Sequence, residues 1–340
     1  MELRDPIKVG IIGAGRIGRL HAENLTSTVR NAAPIAIADI IKSAAENVAA
    51  HCRIPVVVDD YRAIFDDPEI QAVLICTSTD THAQLIEEAA ASGKHIFCEK
   101  PIDLDLAKTR RALVAVKKAG VKFQVGFNRR FDSNFRRIKE LISRGEIGEP
   151  HVLRITSRDP APPPIEYIRS SGGIFLDMAI HDFDMARFLM ASEVDEVYAA
   201  GNVLIDPQFR EAGDVDTAVT LLKFDNGAIG TVDNSRKAVY GYDQRVEVFG
   251  SAGMAHAVNK TPDTVAVFDS QSVQTAKPLY FFLERYKDSF NAEIQAFVDA
   301  IINDNDTPVT GDDGLVPLKI CLAANKSLVE NRPVKLQEIL

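Results

Sequence analysis

An α/β domain on a doubly wound parallel sheet, followed by an α+β domain with a large, mostly antiparallel open sheet, is the architecture this sequence predicts. Two observations carry that expectation. Up to about residue 127, short β-branched runs alternate with longer segments whose apolar residues fall at helical spacing, the pattern of βαβ units closing on a parallel sheet. After Gly148-Glu149-Pro150 the runs lengthen and alternate with period two, as strands with one wet face do. A chain of 340 residues also exceeds what one core usually organises, so the reading sets domains over 1–127 and 128–340, with the C-terminal helix able to return to the first.

In the first half, strands are expected at Ile7–Ile12, Pro34–Ala38, Val56–Val58, Ala72–Cys76, His95–Cys98 and Lys122–Val125, short and apolar as strands covered on both faces should be. Helices are expected between them at Ile17–Thr26, Ala44–His51, Thr81–Ser92 and Leu104–Ala119. The second half predicts strands at Val152–Ser157, Val197–Leu204, Thr217–Phe224, Ala228–Asn234, Arg245–Phe249 and Thr264–Phe268. Asn226-Gly227 marks a hairpin, expected as a type I′ turn with positive φ at both positions. Phe175–Met190, Tyr280–Asn303 and Asp312–Glu330 read as helices, and Pro160-Ala161-Pro162-Pro163-Pro164 as a stiff, non-helical loop.

The composition, 46% hydrophobic and 26% charged, is that of an ordinary globular protein. A net charge of −9 argues against nucleic acid, because neutralising a phosphate backbone needs a basic surface. No membrane-length apolar run or signal peptide is recognisable, so a cytoplasmic protein with a small-molecule partner is expected. Cys52, Cys76, Cys98 and Cys321 lack the paired spacing of a zinc or redox site, and no metal is expected.

Gly13-Ala14-Gly15-Arg16-Ile17-Gly18 follows the first strand and opens a helix, the context a dinucleotide fingerprint requires. The first glycine permits the tight turn and the second lets a pyrophosphate approach the backbone. The third lets helix and strand pack closely, while the helix N-terminal amides meet the phosphates. Asp39, ending the second strand, lies where an acidic side chain meets the adenosine ribose; it equally suits a helix N-cap. A carboxylate there repels a 2′-phosphate, so NAD is favoured over NADP, and the first domain is expected to have a Rossmann fold. Thr77, Ser78 and His82, just past the strand ending at Cys76, complete the expected cofactor contacts with Glu99 and Lys100.

Glu99-Lys100-Pro101 lies just beyond a strand, at the carboxyl edge where open α/β sheets place ligands. A lysine there is able to hydrogen-bond a reacting oxygen; it is equally able to be a solvated loop residue. Farther on, Gly172-Gly173 precedes Asp177 and His181, which share one face if helical, so that the carboxylate orients the imidazole and favours its charged form. A histidine on an apolar helix also suits a core position.

With these residues in view, the chain resembles the glucose-fructose oxidoreductase and inositol dehydrogenase (Gfo/Idh/MocA) group over essentially its whole length. The shared fingerprint is Gly13 to Gly18, Glu99-Lys100-Pro101 and the Asp177 to His181 spacing. Ser157 to Pro164, His181-Asp182-Phe183-Asp184, Tyr240 to Arg245 and Phe281 to Tyr286 look particularly like inositol 2-dehydrogenases. The resemblance implies a homotetramer of two-domain subunits that oxidises myo-inositol to scyllo-inosose with NAD. It places Lys100, Asp177 and His181 at the reacting carbon and Arg129, Asp159 and Tyr242 near the ring hydroxyls. A scyllo- or D-chiro-inositol or pyranose dehydrogenase, an NAD-dependent glycosidase and a non-catalytic sugar sensor are the alternatives.

Overall fold

The computed structural model describes residues 5–340. The chain divides into two units, the first running to Asn128 and including Asp288–Val316, the second comprising Arg129–Lys287 and Pro317–Leu340.

In the first unit, β1 (Ile7–Ile12), β2 (Ala32–Ala38), β3 (Val56–Val58), β4 (Ala72–Ile75), β5 (His95–Glu99) and β6 (Phe123–Gly126) form one sheet. Its order is β3-β2-β1-β4-β5-β6, and every pairing is parallel. That is the doubly wound Rossmann order, which reverses direction between β1 and β4 and leaves ligands at the carboxyl ends of the strands. The helices α1 (Arg16–Ser27), α2 (Lys42–Cys52), α3 (Arg62–Asp66), α4 (Thr79–Ala91) and α5 (Leu106–Ala119) connect the strands. The core joins Ile11, Ile37, Leu74 and Phe97 to Ile294, Phe297 and Val298, which lie far along the chain but in the same unit. Such apolar burial contributes about 25 cal/mol per Å².

The second unit contains α6 (Ser133–Ser143), β7 (Pro150–Arg158), α7 (Ile165–Ser171), a π-helical turn at Ile174–Ala179 and α8 (Ile180–Met190). After these come β8 (Val194–Asn202), α9 (Gln208–Glu211), β9 (Thr217–Phe224), β10 (Ile229–Ser235), β11 (Asp243–Gly250) and β12 (Met254–Ala257). The ribbon β13 (Ala266–Phe268) and β14 (Val273–Thr275), α10 (Phe282–Arg285) and β15 (Val334–Lys335) follow, while α11 (Lys287–Ile302) belongs almost wholly to the first unit and α12 (Gly311–Glu330) is divided between the two. A seven-stranded sheet runs β12-β11-β7-β10-β9-β8-β15, antiparallel except where β7 meets β10. The helix α8 packs against β7 and β10. Alternate residues of β9 turn inward as Ala218, Thr220 and Leu222 and outward as Val219 and Leu221, so one face of the sheet stays exposed.

Several expectations change. The segment Thr264–Phe268 yields only Ala266–Phe268, paired with Val273–Thr275 outside the large sheet. The hairpin at Asn226-Gly227 has positive φ at Gly227 alone. Gly227 N donates to Phe224 O at 2.9 Å and Phe224 N to Ala228 O at 3.0 Å, a three-residue loop whose left-handed position is the glycine. The helix expected over Tyr280–Asn303 breaks at Tyr286, where side chains turn inward: Arg285 Nη1 donates to Asp132 Oδ2 at 2.5 Å and Tyr286 OH to Gln244 Oε1 at 3.2 Å. The helix expected over Phe175–Met190 opens with the π-helical turn instead. Among the described residues no helix is long and apolar enough to cross a membrane.

Candidate active site

The glycine turn between β1 and α1 carries three different constraints. Gly13 has φ +101°, and a Cβ there would lie 2.6 Å from Cys76 O. At Gly18 it would lie 1.8 Å from Gly13 O, so the helix sits directly on the turn. At Gly15 it would meet nothing within 4 Å; the protein's own packing does not require that glycine, whereas a pyrophosphate reaching the backbone does. Ala14, Arg16 and Ile17 complete the turn, and α1 has neither a side-chain N-cap nor an acidic residue in its first turn, leaving its positive end suited to phosphate.

Asp39 follows β2 and holds this turn: its Oδ2 accepts from Ala14 N at 2.7 Å and its Oδ1 from Ile41 N at 2.8 Å. The N-cap of α2 is Ile41, not Asp39. Each carboxylate oxygen retains a lone pair for a ribose hydroxyl. Asp39→Ser is therefore expected to lower the NAD to NADP ratio of kcat/KM and also to weaken the turn. An unchanged ratio in steady-state assays with both cofactors would remove Asp39 from ribose selection.

At the carboxyl end of β4, Thr77 Oγ1 lies 2.6 Å from Thr81 Oγ1, and Ser78 is the N-cap of α4. His82 is buried with Nδ1 2.8 Å from Pro101 O and Nε2 3.0 Å from Thr77 O. Burial pulls its pKa down. It thus ties the loop after β4 to the loop after β5, where the Lys100-Pro101 peptide is cis.

Glu99 ends β5 with its carboxylate buried against Gly126, where a Cβ would stand 3.1 Å from Glu99 Cδ, and with Oε1 2.7 Å from His21 Nε2. Glu293 shares this neighbourhood: the ligand-type atoms of His21, Glu99 and Glu293 lie within 4.8 Å of one another. Burial, and then the charge of Glu99, push the Glu293 carboxyl well above the carboxylate range. His21 and Glu293 are absent from the expected site; a lone histidine in α1 and a glutamate far along the chain in α11 leave no spacing signal.

In the second unit, Gly173 is required for a reason other than ligand access. It has φ +82°, a Cβ there would lie 2.7 Å from Asp214 Oδ1, and that oxygen accepts from Ile174 N at 3.1 Å. The π-helical turn so anchored carries Asp177, and His181 follows in the first turn of α8. Wide turns of this kind recur at functional sites. Asp177 Oδ1 accepts from Tyr167 OH at 2.8 Å, and its Oδ2 accepts from Arg236 Nη1 at 2.9 Å. The same nitrogen reaches Asp159 Oδ2 at 3.3 Å. Burial pushes the Asp159 carboxyl up, against the pull of Arg236.

Arg129 and Tyr242 belong to an adjoining buried network. Arg129 Nη1 donates to Asp182 Oδ1, its Nη2 lies 3.4 Å from both Ser157 Oγ and Tyr242 OH, and Asn234 Nδ2 donates to Asp182 Oδ2 at 2.8 Å. Gln244 Nε2 donates to Ser157 Oγ at 3.0 Å. Burial raises the Tyr242 phenol, which Arg129 opposes, while Asp159 lies close enough to act electrostatically on Tyr242 and to feel Arg129. The structure therefore gathers Asp159, Asp177, Arg129 and Tyr242 in one polar region of this unit, with Arg236 and Tyr167 as members the sequence did not disclose.

A parallel sheet of Rossmann order with an open glycine turn and an acid after β2 defines an NAD-binding oxidoreductase. Residues 7–127 match the oxidoreductase family with NAD-binding Rossmann fold, and residues 135–256 match the GFO/IDH/MocA C-terminal domain. The chain belongs to the GFO/IDH/MocA family. It is 54% identical over 97% of its length to an uncharacterized oxidoreductase, YrbE, of Bacillus subtilis, which it covers to 97%. It is 50% identical over 98% of its length to the myo-inositol 2-dehydrogenase of Thermotoga maritima, covering all of that protein (100%). A solved scyllo-inositol dehydrogenase from Lactobacillus casei, with bound NAD(H) and scyllo-inositol, superposes with a TM-score of 0.92 at 32% identity, over 98% of this chain and 99% of that one.

Proposed function

We propose that the protein oxidises one ring hydroxyl of a cyclic polyol with NAD, the substrate being myo-inositol and the product scyllo-inosose. The observation that carries this reading is full-length identity of 50% to a myo-inositol 2-dehydrogenase. It is supported by a hydroxyl-matching array in the second unit, in which the part-exposed carboxylates of Asp159 and Asp177 stand with the buried guanidiniums of Arg236 and Arg129. A polyol needs such a surface, since each buried donor or acceptor left unpaired costs about 1–3 kcal/mol.

Bound NAD supplies the hydride acceptor. The turn Gly13 to Gly18, Asp39, Thr77, Ser78, His82, Glu99 and Lys100 form its binding surface, with His82 and Glu99 acting by fixing the loops around Lys100. His181 takes the hydroxyl proton, general base catalysis of this kind being worth about 10²–10⁴-fold. Lys100 hydrogen-bonds the reacting oxygen and opposes the charge developing there. Asp177, fixed by Tyr167 and Arg236, orients the imidazole and favours its protonated form. Asp159, Arg129 and Tyr242 select the remaining hydroxyls, Arg129 through the carboxylate and hydroxyls it holds.

The exposed sheet face bearing Val219, Leu221, Ile229 and Phe249 suits a second subunit, in line with a homotetramer acting in the cytoplasm. A scyllo-inositol substrate is the second reading, favoured by the L. casei relative. Mixing the protein with NAD and myo-, scyllo- and D-chiro-inositol and aldoses, while following NADH absorbance, tests the proposal. Fastest turnover with myo-inositol supports it. Preference for another polyol reassigns the substrate, and glycoside cleavage without net NADH, or binding without turnover, contradicts the dehydrogenase reading.

A further inference from the structure

Arg236, just past the end of β10, is 2% exposed, and two carboxylates converge on a single nitrogen of it. Asp177 Oδ2 is 2.9 Å and Asp159 Oδ2 3.3 Å from Nη1, while Nε and Nη2 have no hydrogen-bond partner among the described residues. The acids are thus brought side by side by the cation, and not by a bidentate fork that would serve one of them alone. Like-charged carboxylates this close tolerate joint ionisation only with a compensating positive charge. Other charged or titratable groups acting on the pair include Tyr167 from α7, Asp214 from the segment before β9, and Arg129, whose charge reaches Asp159. Asp214 adds to the negative side and spends one oxygen on Ile174 N. Arg236 is the buried cation in direct contact with both acids.

We propose that Arg236 is a positioning residue for the oxidation, clamping Asp177 against the Tyr167 hydroxyl and holding it beside Asp159, so that one guanidinium sets both the partner of His181 and a ring-binding carboxylate. The inference rests on the roles given above to Asp177 and His181. Removing the cation raises the proton affinity of every acid and base around it, so the catalytic set loses its proton only at higher pH.

The test is the pH profile of kcat/KM for the wild type, Arg236→Met, Arg236→Lys and Tyr167→Phe, with NAD affinity measured alongside. The acid limb is expected to move up by about one pH unit or more in Arg236→Met, to return in Arg236→Lys, and to move the same way by less in Tyr167→Phe, with NAD affinity unchanged. A merely structural arginine lowers the amplitude and leaves the limb in place, and that result overturns the inference. If Arg236→Met does not fold, the other two decide: a moved limb in Tyr167→Phe with an unmoved one in Arg236→Lys supports the clamp, and any other pattern overturns it. Asp177→Asn separates the two levels. Wild-type turnover in that variant contradicts the role of Asp177 itself, whereas an inactive Asp177→Asn with an unmoved limb in Arg236→Met contradicts only the inference about Arg236.

Discussion

Replacing His181 with alanine is expected to lower kcat by at least about 100-fold while NAD binds as before. The imidazole stands in the first turn of α8, directly after the π-helical turn that carries Asp177. Arg129 and Arg236 stay charged and burial raises the Tyr242 and Tyr167 phenols, so none of these four is suited to accept a proton near neutrality. The glycine turn and Asp39, proposed above to bind NAD, belong to the first unit. Steady-state NADH production at saturating polyol, with a fluorescence titration of NADH, checks both halves. Near-normal turnover would rule out His181 as the base.

Arg129→Met is expected to cost about 3–5 kcal/mol of stability, because it leaves the Asp182 carboxylate uncompensated in the interior. Asp182 is fully buried, and its remaining partners include the uncharged Asn234 and Ser157. Burial already raises the Asp182 carboxyl, with Arg129 as the main opposing influence. Without Arg129 the folded-state pKa rises further above the unfolded value. The sign follows: the penalty is present where Asp182 must be charged in the native state, at neutral pH, and shrinks as the pH falls through that raised pKa. Chemical denaturation at pH 7 and pH 5 checks this, a smaller difference from wild type being expected at pH 5. A variant as stable as wild type at pH 7 would show that the network is not held by this pair.

The first unit was readable from sequence because the central strands of its sheet are covered on both faces and therefore appear as short apolar runs: β1 matches residue for residue, as does the more exposed but equally apolar β3. The expectation stopped β5 at Cys98 because Glu99 ends the apolar run; the strand continues, pairing Glu99 with Gly126, because a buried histidine accommodates the carboxylate. In the second unit, period-two alternation located most of the large sheet and β13, but not β14, whose residues are all exposed. The π-helical turn at Ile174–Ala179 was hidden because its residues are uniformly apolar apart from Asp177, and periodicity does not separate 3.6 residues per turn from a locally wider turn. The candidate site was legible where a residue type sits in a glycine motif or just past a strand, as with Gly13, Asp39 and Lys100. It was not legible where function depends on side chains meeting across the fold. Arg236 is 59 positions from Asp177 and 77 from Asp159, and nothing in a linear reading joins them.

The central claim is that a hydride leaves a ring carbon of the polyol for NAD. It is tested most directly by incubating the protein with NAD and myo-inositol deuterated at the carbon bearing the axial hydroxyl, then measuring the mass of the NADH formed. One deuterium in the NADH, together with a ketone in the sugar product, is the predicted result. Unlabelled NADH, or labelled substrate recovered without any NADH, would contradict it.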